Sequence, residues 1–128
     1  KSDLIAAVAS VSGVMLDCIG PTSHPMPVVN LHGTSDSVLP YNGSSEYNSI
    51  QSTLDHWIKF NNTVLTPTVT IDNNIEHYVY DQGDNSVSVE HYKFIGGTHV
   101  WFNSLYQGQS TSELVWNFIS RYDINGLR

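Results

Sequence analysis

Cysteine is almost absent from this chain. Cys18 stands by itself among 128 residues, so no internal disulfide can staple the fold, and the redox compartment cannot be read from it. A lone Cys is more often a small buried apolar residue than a nucleophile; a former disulfide partner whose mate lies upstream of residue 1 is the other reading. Charge is scarce too, at 13% of residues, and positive charge most of all: 5 bases against 12 acids leave a net charge of −7. So few bases build no basic patch, which argues against nucleic acid or an anionic membrane as a partner. No run approaches the roughly 18 apolar residues of a membrane span, and no signal-peptide pattern is present. Metal-ligand spacings are missing as well, with no HxxxH, no HExxH and no paired Cys. Asp81, Asp84 and Asn85 fall short of a calcium loop. No metal and no other cofactor is expected. The chain opens Lys1-Ser2-Asp3 without an initiator Met, the opening expected of a processed chain, a cut chain or an incomplete reading frame.

What is present reads as one α/β domain. Leu4–Val11 and Val28–Leu31 are short apolar runs of the kind buried on both faces of a parallel sheet. Residues 14–26, with Cys18, Gly20, Pro21 and Pro25, read as loop. Tyr47, Ile50, Leu54, Trp57 and Ile58 recur at helical spacing, which predicts a helix from about Ser45 to Phe60, capped by Ser44 or Ser45 and ended by Asn61-Asn62-Thr63. Pro67–Ile71 and Glu76–Tyr80 alternate like strands, and Gln82–Asn85 is a turn. Val87–Ile95 is a further strand, and Tyr78–Asp81 is expected to pair with Val87–Phe94 as an edge hairpin. Ser110-Thr111-Ser112-Glu113 fits a capping box. The helix it opens carries Leu114, Val115, Phe118, Ile119 and Tyr122 on one face and is expected to end near Asn125-Gly126. The predicted architecture is a mostly parallel sheet with flanking helices and an edge hairpin. An unpaired apolar first strand would leave an edge for self-association.

Two loops carry the chemistry. His32-Gly33-Thr34-Ser35-Asp36 follows one predicted strand and Gly96-Gly97-Thr98-His99 follows another, with one helix between them. Residues just past the C-terminal ends of strands are where an open α/β sheet places its site. Acid before base is the order in which Asp36 and His99 would complete a Ser-Asp-His triad. Asp36 alone reads more readily as a turn Asp bonded to its own backbone. His32 is expected to brace the loop, and His24, His56, His77 and His91 read as surface loop histidines. No G-x-S-x-G nucleophile elbow occurs anywhere, and Ser10 and Ser12 are not flanked as one.

The run Val28–Tyr41 resembles the acid-bearing loop of the polyhydroxybutyrate depolymerase and feruloyl esterase family of α/β-hydrolases, and YKFIGGTHVW, Tyr92–Trp101, is similar to that family's base loop. DLIAAVASVSG resembles the strand after its nucleophile helix. The resemblance implies the C-terminal portion of an α/β-hydrolase fold, a single partial domain over residues 1–128 whose N-terminal half, with the nucleophile elbow, is absent. It implies a serine esterase acting through an acyl-enzyme on short polyesters, feruloylated or acetylated sugars or other small esters, secreted or periplasmic, with Asp36 the triad acid and His99 the base. Trp101 and Tyr41 would line the substrate site, although simple packing explains Tyr41 as well. Thr98 replaces a third Gly, Phe102-Asn103 replaces Pro-Gly, and Asn62-Thr63 stands where many relatives have Gly-Cys. By this reading the 128 residues alone are inactive. Two other classes remain: a non-catalytic binding or assembly module using the exposed sheet edge, and a carbohydrate-binding surface on Tyr41, Trp101 and Tyr106.

Overall fold

The computed structural model describes residues 7–12, 25–38, 40–43, 49–98, 102, 106–123 and 126–127. Strands β1 (Val8–Val11), β2 (Val28–Gly33), β3 (Thr68–Asp72), β4 (Ile75–Tyr80) and β5 (Val89–Phe94) form one sheet in the order β1-β2-β5-β4-β3. β1–β2 and β2–β5 pair parallel, whereas β5–β4 and β4–β3 pair antiparallel. The sheet is therefore mixed, and the expectation of a mostly parallel sheet from the C-terminal portion of an α/β-hydrolase is overturned. The cause is local: no α-helix separates β3 from β4 or β4 from β5, where a single 3-10 turn at Asp84–Ser86 intervenes, and short connections can join only antiparallel neighbours. Asn73, at φ 54°, takes the left-handed position of the two-residue β3–β4 turn, a conformation Asn tolerates better than most side chains.

Helix α1 (Ile50–Asn61) begins later than the sequence suggests. Ser49, rather than Ser44 or Ser45, is the N-cap, accepting a bond from Ser52 N–H at 3.1 Å. Ile50, Leu54, Trp57 and Ile58 recur on one face and pack with Met26, Val28, Tyr80 and Val89. Asn62, left-handed at φ 58°, ends the helix. The last residue of α1, Asn61, is fully buried and clamps the chain entering β2: its side chain accepts from Met26 N–H and donates to Met26 C=O, both at 2.7 Å.

Helix α2 (Thr111–Ile119) opens with the predicted capping box between Ser110 and Glu113. Leu114 and Phe118 cover the other sheet face, where Val29, Leu31, Ile75, Tyr92, Phe94 and Phe102 make the second core. The helix stops at Ser120, short of the predicted end, and Tyr122–Asp123 (β6) turns back against Gly126–Leu127 (β7). With a helix layer on each face, β2 is buried at all six positions. The calls on residues 4–6, 13–24 and 44–48, including Cys18, lie outside the described residues.

Candidate functional site

β2 delivers His32 and then Asp36 to the C-terminal rim of the sheet. Strand alternation points His32 to the α1 face, and the side chain is fully buried. Gly33, Thr34 and Ser35 turn the chain so that Asp36 returns over the strand end, 4% exposed. Its Oδ1 accepts from Val38 N–H at 2.9 Å, and its Oδ2 lies 3.3 Å from His32 Nε2. The turn Asp bonded to local backbone and the loop-bracing His32, both expected from the sequence, are found together.

The outgoing end of this loop is fixed by a second anchor. Gly43 N–H bonds Pro40 C=O at 2.9 Å, and Ile50 N–H bonds Tyr41 C=O at 2.9 Å. The Tyr41 hydroxyl sits 2.7 Å from His91 Nε2, and His91 Nδ1 sits 3.1 Å from Asn30 C=O. A carbonyl only accepts, so Nδ1 carries the proton, Nε2 accepts, and the Tyr41 phenol donates. His91 is buried in the middle of β5, not on a surface loop. Burial outweighs the hydrogen bond to Asn30 and, with the His32 and Lys93 charges nearby, pushes its pKa down to about 3. Burial likewise drives the Tyr41 phenol above its ordinary range. Tyr41 therefore commits its hydroxyl to the sheet, while the Lys93 ammonium stands 5.2 Å from its ring centre.

The second loop leaves β5 at Phe94. Gly97 N–H folds back on Phe94 C=O at 3.0 Å, with Gly96 left-handed at φ 78°. The two loops are stitched to one another. Thr34 N–H donates to Phe94 C=O at 3.0 Å, Ser35 N–H to Gly97 C=O at 2.8 Å, and Gly96 N–H to Thr34 Oγ1 at 2.7 Å. Gly33 and Gly97 approach so closely that a Cβ on Gly33 would fall 2.2 Å from Gly97 O. His99 and Trp101 lie outside the described residues, as do Val100 and residues 103–105. Beside this loop, a cleft of about 530 Å³ opens between Asn73-Asn74 and Gly96-Gly97, floored by Phe94 and Phe102. Those two rings stack at 4.0 Å and 5°.

A further polar network on the opposite face was not anticipated. Glu90 is buried on β5; its Oε1 lies 2.8 Å from His77 Nε2, and its Oε2 lies 2.8 Å from Arg121 Nη2 and 3.3 Å from Ser88 Oγ. Burial pushes the Glu90 carboxyl up, but the His77 hydrogen bond and the Arg121 charge outweigh it, so the pKa is lowered. His77 stacks on Tyr92 at 4.0 Å and 8°. The available signal was an acidic residue inside an apolar strand buried on both sides, a placement that requires partners. Tyr106, the third aromatic of the sugar-surface reading, is buried against Tyr92 and His77. Among the described residues, no group of three His, Cys, Asp or Glu side chains is placed to hold a metal, and no helix is long and apolar enough to cross a membrane. The chain matches no protein-family model and no curated protein.

Proposed function

We propose that this chain carries the acid and base of a serine-type carboxylic ester hydrolase, with Asp36 as acid and His99 as base. The observation that carries the reading is the stitching of the two loops. Ser35, the neighbour of Asp36, bonds the carbonyl of Gly97, and two residues of chain reach at most about 7 Å from Gly97 to His99. The short stretch of chain between Gly97 and His99 supports the pairing of His99 with Asp36. Two features make Asp36 suited to an orienting acid: its burial and its fixed rotamer, held by Val38 N–H and His32. The motif likeness to esterases points the same way.

In the proposed reaction the His99 imidazole takes the proton of a serine hydroxyl as that oxygen attacks the ester carbonyl. It then returns the proton to the departing alcohol, leaving an acyl-enzyme that water cleaves. Asp36 holds the productive tautomer and stabilises the imidazolium. The serine comes from a segment outside these 128 residues, since they contain no elbow. Substrates are small acyl esters, short polyesters or acylated sugars; Trp101 and the ring of Tyr41 flank them, and the cleft beside Gly96-Gly97 offers room for one half of the ester. A secreted or periplasmic enzyme follows from the same likeness.

The test is a pH titration of the His99 ring by NMR in the 128-residue chain and in Asp36→Asn. Beside a buried carboxylate, His99 is expected to titrate above its ordinary value of about 6.5 and to fall by roughly one unit or more in the variant. An identical titration in both proteins refutes the pairing. The chain by itself is expected to turn over p-nitrophenyl acetate no faster than His99→Ala does. A His99-dependent burst would refute the assignment of the serine to another segment.

A further inference from the structure

The described sheet ends at β3, and this edge lacks the usual defences. Its sequence, Thr68-Val69-Thr70-Ile71-Asp72, holds no Lys, no internal Pro and no bulge, the devices by which natural edge strands avoid pairing. Four of its five residues are exposed. Val69 is 47% and Ile71 64% accessible, large values for aliphatic residues in a strand.

The backbone shows which groups point outward. Ile95 N–H donates to Asn74 C=O, so along β4 the even-numbered residues turn their backbone groups to β5 and the odd-numbered ones to β3. Ile75, His77 and Val79 pair with Asp72, Thr70 and Thr68, which therefore spend their N–H and C=O groups on β4. Val69 and Ile71 are left with theirs facing away from the sheet.

The geometry points to a second copy of this chain as the occupant, added antiparallel across a two-fold axis at Thr70. In that register Val69 of one copy faces Ile71 of the other and both exchange N–H···O=C bonds, four in all. The four aliphatic side chains gather on one face, because directly opposed residues share a face. Thr70 meets Thr70 on the axis. Asp72, the only charge in the strand, falls opposite Thr68, so the pairing sets no like charges against each other. The strand is its own complement in this one register. Shifting the partner by one residue would set Val69 and Ile71 opposite Thr68, Thr70 or Asp72, whose backbone groups are spent on β4, and would lose the hydrogen bonds. A single edge contact of this length lies below the roughly 1,200 Å² of stable interfaces, and each copy carries a net charge of −7. The dimer is therefore weak and is strengthened by salt, which screens the mutual repulsion.

Sedimentation of the 128-residue chain tests this. A reversible monomer–dimer equilibrium is expected, tightening as salt rises from about 20 mM to about 0.5 M. Val69→Pro removes an outward N–H and leaves the ladder to β4 intact; it is expected to weaken the dimer at least tenfold with unchanged melting temperature, as is Ile71→Lys. Register is read by cysteine pairing in a Cys18→Ser background. Thr70→Cys is expected to cross-link to its twin, since non-hydrogen-bonded antiparallel pairs stand at about 4.5 Å between Cα atoms, within disulfide reach. Thr68→Cys is not, because its twin lies about 13 Å along the strand. A chain that stays monomeric at millimolar concentration in high salt overturns the proposal. So does a dimer indifferent to Val69→Pro, or equal cross-linking of the two cysteine variants.

Discussion

Gly33→Ala is the substitution that most directly questions the junction of the two loops. The added methyl would lie 2.2 Å from Gly97 O, 2.3 Å from Gly97 C and 2.8 Å from Gly97 Cα. All three are backbone atoms, so no side-chain rotation relieves the clash, and one loop must move away by about 1 Å or more. Movement stretches the two backbone bonds flanking the contact, Thr34 N–H to Phe94 C=O and Ser35 N–H to Gly97 C=O. Overpacking costs about 1–3 kcal/mol, and each weakened hydrogen bond adds about 1 kcal/mol. The expected loss is about 3–5 kcal/mol, a large fraction of a domain's stability. It corresponds to a fall in melting temperature of roughly 10–20 °C, followed by circular dichroism and checked by urea unfolding. Gly96→Ala is the internal control. A Cβ there meets nothing within 4 Å, and only the left-handed backbone at φ 78° resists it, at about 1–2 kcal/mol. Should Gly33→Ala cost less than Gly96→Ala, the two loops do not touch as described, and the proposal that pairs His99 with Asp36 loses its support.

Two buried polar networks give further outcomes. Tyr41→Phe strips His91 Nε2 of its donor without changing volume much, at a cost of about 1–3 kcal/mol by urea unfolding. NMR is expected to show His91 as the Nδ1-protonated tautomer, with no titration above about pH 4, since its pKa is depressed to about 3. The unfolded chain takes up this proton near pH 6.5 and the folded chain does not, so between those values falling pH favours unfolding. Stability is expected to decline from pH 6.5 toward 3, with a limiting slope for this one group of about 1.4 kcal/mol per pH unit. Glu90, with its pKa lowered, adds to the decline below about pH 4.5. Glu90→Gln leaves His77 and Arg121 facing a neutral amide, and, with Arg121 partly in solvent, is expected to cost about 1–3 kcal/mol and to flatten the acid limb of the stability profile.

The parts legible in the sequence are those whose cause is local. Val28–Leu31 is apolar apart from Asn30, and it is a buried strand because two neighbours and two helix layers surround it. Ser110 and Glu113 cap α2 because three residues of spacing suffice to define a capping box. Tyr80 pairs with Val89 as the expected hairpin. Where several residues of one type compete, the pattern is ambiguous: Ser44, Ser45 and Ser49 can all cap a helix, and Ser49 does. Tyr122 keeps the helical spacing of the α2 face, yet it belongs to β6, from which it still reaches the core and bonds Ser88 at 2.8 Å. The direction of β3 was missed because its alternation says only that it is a strand. The short Asn73-Asn74 connection, which forces an antiparallel return, was the overlooked signal.

The position of Asp36 just past a strand end was legible, and the burial of His91 was not, for a related reason. Alternation treats a strand as uniform along its length, whereas the α1 face of this sheet changes character from rung to rung. Val28, Val89 and Tyr80 share one rung and pack under α1. Two residues further along β2 and β5, the rung is Asn30, His91 and Tyr78; the next is His32, Lys93 and Glu76. Hydrocarbon gives way to imidazole, amide, phenol and charge toward the C-terminal ends of the two parallel strands, the end where the Asp36 and Gly97 loops meet. A polar side chain inside a strand is therefore informative when read together with the residue that the register sets beside it. His91 looked like a surface histidine by itself, but beside Asn30 and below Tyr41 it is the neutral pin that holds the outgoing end of the acid loop. The prediction for Tyr41→Phe tests that pin independently of esterase chemistry, since tautomer and stability are both read without a substrate.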